Sequence, residues 1–279
     1  MSKSIPNSEH PILTEYDLAA GIRAFSTERM TTAGNTDPGP SPYDAFNITH
    51  YCGDAPQHVL HCREMLCRTL GIADEKLILP RQTHGTKVLR VDKAFLGKSI
   101  ADRQAALEGV DAIYTTETDT CIGVSTADCV PILLCDTRSG VIAAIHAGWR
   151  GVRANIIGAT FQQLREIPDF QAGNVCAAVG PSISKEAFEV GDEVYEAFAQ
   201  AQFPMPQIAQ RLNGKWHIDL WAAVCLQLLQ EDVALDKIKI SGICTWQSTT
   251  RFFSARRLGL HSGRIFNGIL RKSTPEGTA

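Results

Sequence analysis

The sequence lacks the features that mark membrane, secreted and nucleic-acid-binding proteins. No apolar run approaches the roughly 18 residues that a membrane span requires. The amino-terminal stretch MSKSIPNSEHP contains no hydrophobic segment of the kind found in a secretory signal peptide. The formal net charge is -3 and the isoelectric point is about 6.2, so the chain has no excess of basic residues to attract nucleic acid. We therefore predict a protein with no membrane and no nucleic-acid partner.

A disulfide framework is also missing. The nine cysteines are an odd number, and they are scattered along the chain. Several lie in apolar runs, where cysteine behaves as a small hydrophobic residue, namely Cys135, Cys176, Cys225 and Cys244. Free thiols fit a reducing compartment, so we predict a cytoplasmic protein. Hydrophobic residues make up 44% of the 279-residue chain, which allows a core that needs no structural metal, and any bound metal would therefore serve chemistry.

Strands and helices interleave along the chain, but several strands follow one another directly. Apolar, β-branched segments predict strands at 21–27, 76–84, 87–92, 112–116, 141–147, 175–181, 237–244 and 251–257, and residues 120–136 predict two more. Capping residues and apolar periodicity predict helices at 56–70, from near Gly151 to about Leu164, after Asp192 and after Asp219. Direct connections between strands favour mixed sheets, so the predicted fold class is α/β, of the α+β type.

No linker divides the chain. The two ends have tail-like compositions, whereas the predicted helices and strands continue without interruption between them. We therefore predict a single catalytic domain at 15–271, between a flexible tail at 1–14 and a second tail at 272–279.

Three short segments carry residues suited to catalysis, and each lies at or near the end of a predicted strand. RQTHG (81–85) contains His84, STADCVP (125–131) contains Asp128 and Cys129, and IHAGWRG (145–151) contains His146. Active sites of sheet proteins commonly form at strand ends. Taken singly, each segment also has a structural explanation: a loop histidine, a buried cysteine beside a turn-forming aspartate, or an ordinary strand-to-helix turn.

Together, His84, Cys129 and His146 form the ligand set of a catalytic zinc site in which water takes the fourth position. Zinc lowers the pKa of such a water toward about 7, which gives a nucleophile at neutral pH. The ligands lie far apart along the chain, so only the fold can bring them together. A metal-free alternative stays open, because Cys129 and either histidine could form an activated nucleophile pair.

Two further residues beside these segments are candidates for binding substrate. Gln82 precedes His84 by two residues and could contact the substrate. Arg150 follows His146 in the first turn of a predicted helix, where free N–H groups and the positive end of the helix dipole favour an anion such as phosphate. Asp128 either orients Cys129 or caps a turn, and its sequence context favours the structural role slightly.

A set of motifs resembles one protein family, in the order found there: QTHG, DAIYT, STADCVPILL, IHAGWRG, VGPSIS with FEVGDEV, and CT followed by FFSARR and SGR. Over about residues 22–264 the chain is similar to the laccase-domain family, known as multicopper polyphenol oxidases and as purine nucleoside phosphorylases, which includes the bacterial peptidoglycan editing factor. The resemblance implies a single-domain α-β-β-α sandwich with mixed sheets. It also implies a mononuclear zinc site formed by His84, Cys129 and His146.

The function that the resemblance implies is zinc-dependent purine nucleoside phosphorylase activity on adenosine, inosine, guanosine and methylthioadenosine, with adenosine deaminase activity. The partners would be a purine nucleoside and phosphate, and the protein would be a monomer or a homodimer. Deamination fits the zinc-water chemistry described above. Phosphorolysis also needs a bound phosphate, for which Ser26, Arg63 and Arg150 are the candidates.

The chain departs from the family pattern at several positions. Glu28 is placed before Arg29 in the segment that follows the first predicted strand, so Arg29 is not expected to have the role that the family's arginine has. Cys62, Phe188 and Ala255 stand where the family has asparagine, tyrosine and tyrosine. None of these residues is a predicted zinc ligand, so the departures affect substrate preference more than the chemistry.

Other functions compete with this one. Peptidoglycan precursor editing would use the same pocket, and a metal-independent hydrolase would use Cys129 as its nucleophile. A binding protein without catalysis is disfavoured by the complete ligand set. A multicopper laccase usually needs many His-x-His pairs, and the eight histidines here include none. We therefore predict against polyphenol oxidation, although copper can occupy a His/Cys site in vitro.

Overall fold

The computed structural model describes residues 9–32, 42–43 and 45–273, which contain fourteen strands. The first seven strands are β1 (Pro11–Tyr16), β2 (Ile22–Thr31), β3 (Leu77–Ile78), β4 (Val88–Arg90), β5 (Ala112–Thr115), β6 (Cys121–Thr126) and β7 (Val130–Asp136). The others are β8 (Val141–Ala147), β9 (Cys176–Val179), β10 (Glu189–Val190), β11 (Ala209–Leu212), β12 (Lys215–Ile218), β13 (Ile238–Ile240) and β14 (Ile265–Arg271).

The same residues form nine α-helices. They are α1 (Pro56–Leu70), α2 (Lys93–Leu96), α3 (Ile100–Leu107), α4 (Trp149–Arg153), α5 (Ile156–Leu164), α6 (Asp192–Gln200), α7 (Met205–Ile208), α8 (Leu220–Gln230) and α9 (Ala255–Leu258). Asp219 caps α8 as predicted, because its side chain accepts a hydrogen bond from the Ala222 N–H. Within the described residues, every helix is too short or too polar to cross a bilayer.

The strands form two large mixed sheets and one small sheet. The first large sheet has the order β1-β2-β14-β6-β3, and the second has the order β13-β9-β7-β8-β5-β4. Most neighbours are antiparallel, but the pairs β3–β6, β4–β5 and β9–β13 are parallel. The small sheet has the order β10-β12-β11. Mixed sheets are therefore confirmed.

The two large sheets pack face to face through alternating side chains. Along β8, Ile142 and Ala144 belong to the cluster between the sheets, whereas Val141, Ala143 and Ile145 belong to the cluster on the outer face. Successive strand residues point to opposite faces, so this division follows from the strand conformation. The inner cluster draws on both sheets, with Ala24, Ile122, Val124 and Ile269 from the first and Leu133, Ile142, Ala144 and Ala178 from the second.

Helices cover the outer faces of both large sheets. On the first sheet, Met65 and Leu66 of α1 are buried in one cluster with Phe25 and Phe266. On the second sheet, α5 and α8 are buried in one cluster with β7 and β8, through Ile157, Phe161, Val224 and Leu228. The layers therefore follow the order α-β-β-α, which confirms the predicted sandwich.

One predicted tail is too long, and one predicted strand is not a strand. The predicted tail at 1–14 extends too far, because Pro11–Tyr16 form β1, which pairs antiparallel with β2. The predicted strand at 251–257 is a turn followed by α9, which begins after Ser254 caps it by accepting from the Arg257 N–H. Residues 1–8 and 274–279, parts of the two predicted tails, lie outside the described residues.

The helix predicted from near Gly151 to Leu164 begins at Trp149 and is divided into α4 and α5. Asn155 separates them with a backbone φ of 59°, and its side chain accepts a hydrogen bond from the Gly158 N–H. Asparagine tolerates the left-handed conformation and caps helices well, so the break has a local cause. The predicted strand at 76–84 is also shorter, since only Leu77 and Ile78 pair in a sheet. The residues after β3 instead form the loop that carries His84.

An ion pair between the buried Glu28 carboxylate and the exposed Arg251 joins β2 to the turn before α9. Arg251 donates to Glu28 at 2.5 and 3.0 Å, and the Thr14 hydroxyl donates to Glu28 at 2.9 Å. Burial alone would raise the pKa of Glu28, but these hydrogen bonds and the charge of Arg251 lower it below its usual 4.5. Glu28 therefore stabilises the fold above its unfolded-state pKa, and this stabilisation is lost as the pH falls through the lower folded-state pKa.

We expect Glu28→Gln to lower the free energy of unfolding near neutral pH and to have a much smaller effect once the pH is below the lowered folded-state pKa, where Glu28 is protonated in both states. Denaturant titrations at several pH values measure this difference. Glu15→Gln is the control, because Glu15 pairs with Arg23 at 2.7 Å on the surface and such pairs contribute little. A Glu28→Gln effect that does not change with pH would contradict the assignment.

Candidate metal centre

Adjacent strand ends place Cys129 beside His146. The β7–β8 ladder pairs Pro131 with His146, and Cys129 lies two residues before Pro131. His146 continues the series of Ile142 and Ala144, so its side chain lies on the face of the second sheet that meets the first sheet. Both residues therefore lie at one end of the gap between the two large sheets.

The third residue, His84, is brought to the same place by a loop. Its backbone has a φ of 63°, in the left-handed region that residues with a Cβ seldom adopt. Asp111 stabilises this conformation, since its carboxylate accepts hydrogen bonds from the backbone N–H groups of Thr83, His84 and Gly85 at 3.2, 2.9 and 2.8 Å. The loop therefore holds His84 in a defined position.

The ligand atoms of His84, Cys129 and His146 all lie within 4.8 Å of one another. The Cys129 Sγ lies 3.6 Å from the His84 Nε2. Zinc bonds of about 2.3 Å to sulfur and about 2.0 Å to nitrogen place tetrahedral ligands roughly 3.5 Å apart. The three residues therefore fit one zinc ion. In the described part of the chain, they are the one group of three or more His, Cys, Asp or Glu that converges in this way.

Gly148 makes this close approach possible. A Cβ on Gly148 would lie 2.7 Å from His84 Cδ2 and 3.1 Å from Cys129 Sγ. Gly148 is also the N-cap of α4, with φ -66° and ψ 159°, a conformation open to any residue. The glycine is therefore required for space between the ligands rather than for backbone freedom.

Asp111 belongs to the candidate site but was not predicted from the sequence. Besides holding the His84 loop, its Oδ1 lies 2.7 Å from the His146 Nδ1, and Asp111 is fully buried. This contact leaves the His146 Nε2 to face the other two ligands. Burial alone would raise the pKa of Asp111, but His146 and the backbone N–H groups lower it. In the sequence, Asp111 could have been noticed only as a single acidic residue directly before the buried strand AIYT.

The electrostatics of the site favour a thiolate. Burial alone would raise the pKa of Cys129, but the charge and hydrogen bond of His146, with the hydrogen bond of His84, lower it to about 6. Burial alone would lower the pKa of His146, but Cys129 and Asp111 raise it. A thiolate is the form of cysteine that binds a metal or attacks as a nucleophile. The site therefore offers one thiolate and two imidazoles.

Asp128 holds the backbone that precedes Cys129. Its own φ is 90°, and its carboxylate accepts from the Thr245 hydroxyl at 2.6 Å and from the Arg256 N–H at 2.7 Å. Its carbonyl oxygen also accepts from the Ile183 N–H at 2.9 Å. Asp128 thus connects the segment before Cys129 to Ile183, to Thr245 and to the first turn of α9.

A cavity of about 170 Å³ opens beside the three candidate ligands. Its remaining walls come from the β6 end, α9 and the loop before β14, and consist of Tyr51, Gln82, Ser125, Thr126, Ala127, Ala255, Leu260 and Arg264. Leu260 is 75% exposed, so it lies at the mouth. The cavity combines apolar surface with a few polar groups, as small-molecule sites do.

Gln82 is the one substrate candidate found in this wall. Its side-chain amide donates to the Ser125 carbonyl at 2.5 Å and accepts from the Tyr51 hydroxyl at 2.6 Å. These bonds join the His84 loop to the end of β6. The predicted substrate contact at Gln82 stays a prediction, and the bonds give Gln82 a structural role as well.

The three phosphate candidates lie outside the cavity wall. Ser26 is fully buried, and its hydroxyl donates to Asn267 at 2.5 Å. Arg63 pairs with Asp74 and donates to the Leu77 carbonyl at 2.5 Å, next to a separate cavity of about 270 Å³. Arg150 is exposed, with its guanidinium 4.4 Å from the centre of the Trp149 ring. The structure therefore does not bring these residues together with the candidate ligands.

Comparison with known proteins places the chain in a family. The profile of the family described as multi-copper polyphenol oxidoreductase laccase matches residues 24–272. A purine nucleoside phosphorylase of Bacteroides thetaiotaomicron is 45% identical over 230 residues, which cover 82% of this chain and 85% of the relative. Adenosine deaminase RL5, from an unknown prokaryotic organism, is 44% identical over 254 residues, or 90% of this chain and 95% of the relative.

A solved structure gives the same answer for the fold. The crystal structure of YlmD from Geobacillus stearothermophilus has a TM-score of 0.82 and 28% sequence identity, covering 91% of this chain and 93% of YlmD. The family that the motifs predict is thus confirmed both by sequence and by structure. The chain belongs to the multi-copper polyphenol oxidoreductase laccase family.

Proposed function

We propose that this protein is a zinc-dependent enzyme that cleaves purine nucleosides with phosphate and deaminates adenosine. The observation that carries the proposal is the convergence of His84, Cys129 and His146 within 4.8 Å at the wall of a cavity. The names of two relatives support the substrate class, since one is a purine nucleoside phosphorylase and the other an adenosine deaminase. The proposed substrates are adenosine, inosine, guanosine and methylthioadenosine.

Zinc fits the ligands better than a copper cluster does. Two imidazoles and one thiolate are a common set for catalytic zinc, with a fourth position open to water or substrate. A multicopper site needs additional converging histidines, and the described residues hold one converging group of three ligands. All eight histidines of the chain lie among the described residues. The family description alone therefore does not support polyphenol oxidation here.

The residues of this chain have separate tasks in the proposed reactions. His84, Cys129 and His146 would hold the zinc ion, and Asp111 keeps the two histidines oriented. A bound zinc ion supplies Lewis acidity, which activates water near neutral pH. Ala127 and Leu260 give the cavity wall apolar surface that would displace water from around a bound substrate.

We expect Cys129→Ala to abolish zinc binding and both activities while the fold is retained. Zinc binding should be lost because two imidazoles alone leave a zinc ion without its charged ligand. The measurement combines metal analysis with chromatography of adenosine incubated with and without phosphate. The parent should contain about one zinc per chain. It should produce adenine only when phosphate is present, and it should produce inosine when phosphate is absent. Turnover retained in Cys129→Ala would refute the mechanism.

A metal-independent hydrolase is the second candidate, and one observation favours it. The pKa of Cys129 is lowered to about 6, and its sulfur lies 3.6 Å from the His84 Nε2, which also suits an activated nucleophile. A chelator separates the two candidates. Dialysis against a strong chelator should abolish a zinc activity, and re-addition of zinc should restore it, whereas a thiol hydrolase would be unaffected by either step.

We also propose that the protein works in a reducing compartment such as the cytoplasm. All nine cysteines are free, and six of them are buried. Disulfides are rare where glutathione keeps thiols reduced, so unpaired cysteines in this number fit such a compartment. Fractionation of the native cells with an antibody against the protein would test this assignment.

A further inference from the structure

Arg264 brings a positive charge to the wall of the metal-site cavity. It directly precedes β14, and the next residue, Ile265, pairs with Thr126 in the β6–β14 ladder. Arg264 therefore lies at the same end of these two strands as the segment that leads to Cys129. Among the residues that line this cavity, Arg264 is the one arginine or lysine.

The guanidinium of Arg264 is held in place by its own loop. Its Nη1 donates to the carbonyls of Ser262 and Gly263 at 2.6 and 2.9 Å, and its Nη2 donates to the carbonyl of Leu260 at 2.9 Å. The Arg264 backbone N–H donates to the Asn47 side chain at 3.2 Å. The guanidinium is thus ordered before any ligand arrives, which lowers the entropic cost of binding.

The charge of Arg264 has no carboxylate partner among the described residues. All ion pairs between an arginine and a carboxylate in the described residues are made by arginines other than Arg264. The groups that the Arg264 guanidinium contacts are neutral carbonyls. The Arg264 Nε–H also has no partner among those residues. A half-buried cation without an anion favours capture of one from solution, and the planar guanidinium of arginine can donate hydrogen bonds to two oxygens of a phosphate.

We propose that Arg264 binds the phosphate that attacks the nucleoside, an inference that rests on the proposed phosphorolysis. In that reaction a phosphate oxygen forms a bond to C1′ while the bond between C1′ and the purine nitrogen breaks. The electron pair of the broken bond goes to the purine, which takes up a proton, and ribose 1-phosphate is the other product. Arg264 holds the attacking dianion at the cavity that also contains His84, Cys129 and His146.

The first test is a calorimetric titration of the zinc-loaded protein with inorganic phosphate. We expect Arg264→Gln to weaken phosphate binding at least tenfold and Arg264→Lys, which keeps the charge, to weaken it less. Arg257→Gln is the matched control, because Arg257 lies on α9 outside the cavity wall, with its guanidinium 4.5 Å from the Trp246 ring centre. Unchanged phosphate binding in Arg264→Gln, or no binding by the parent, would overturn the proposal.

The second test compares the two reactions of the same protein. Phosphorolysis consumes phosphate and deamination consumes water, so Arg264→Gln should lower the ratio of phosphorolysis to deamination at least tenfold, mainly through the KM for phosphate. An equal loss of both reactions would show a general effect on the site and refute the assignment. If Arg264→Gln does not fold, Arg264→Lys decides through the same ratio. If the parent turns over no nucleoside, the proposed function fails, while the titration still tests Arg264.

Discussion

Replacing Asp111 with asparagine is expected to lower the affinity for zinc by about 10- to 100-fold, the usual range for a group that orients a metal ligand. The Asp111 carboxylate accepts four hydrogen bonds, one from His146 and three from the backbone of Thr83, His84 and Gly85. An asparagine replaces one acceptor oxygen with a donor NH₂ group. The variant therefore loses the fixed orientation of His146, the fixed position of the His84 loop, or both.

Competition with a chelator of known zinc affinity measures this effect. Asp136→Asn is the control, because Asp136 is equally buried but lies at the opposite end of β7, where it accepts from Arg138, Ser139 and Gln171. Both variants should lose stability, by about 1–3 kcal/mol for each buried donor left unpaired. Only Asp111→Asn should lose zinc. Equal zinc affinities in the two variants would contradict the role of Asp111.

Replacing Gly148 with alanine is expected to disrupt the metal centre with little effect on the backbone. The added methyl group would lie 2.7 Å from the His84 ring and 3.1 Å from the Cys129 sulfur, so at least one ligand must move away. The backbone dihedrals of Gly148 suit alanine, so the fold itself is not strained. We expect the affinity for zinc to fall at least tenfold, a loss of about 1.4 kcal/mol or more in binding free energy, and both activities to fall with it.

Metal analysis and thermal unfolding of the metal-free proteins check this result. Gly173→Ala is the matched control, since a Cβ there has no neighbour within 4 Å and the variant should bind zinc like the parent. The metal-free Gly148→Ala protein should unfold within a few degrees of the metal-free parent. A variant that retains full zinc content would show that the ligands do not require this close approach.

The sequence was most informative where strand alternation and strand ends decide the structure. The predicted ligands His146 and Cys129 follow from strands whose limits the sequence shows well, and β8 begins and ends where the apolar pattern does. Once the two strands pair, their register places both side chains on one face. Asp111 could not be identified from the sequence, because its four donors come from a loop and a strand 26–35 residues away along the chain.

The phosphate candidates were not predicted well, because the sequence does not show which side chains already have a partner in the fold. Arg63 has the charge that phosphate binding needs, but its guanidinium already pairs with the carboxylate of Asp74, which lies 11 residues later. Ser26 faces the buried Asn267, a contact between residues 241 positions apart. Which side chain already has a partner depends on such distant pairings, and residue type alone does not reveal them. Similarly, β1 is a strand because it pairs with β2, and its composition alone resembles a tail.

The anchoring of the His84 loop by Asp111 has a consequence for how the protein would acquire a metal ion. In a zinc finger the ligands assemble only when the ion arrives, so metal loss unfolds the domain. Here a carboxylate within the core already joins the two histidines, and the cysteine is fixed by its neighbour Asp128. We therefore expect the chain to fold first and take up zinc afterwards, so that the ion can exchange with the cellular pool during the life of one folded molecule.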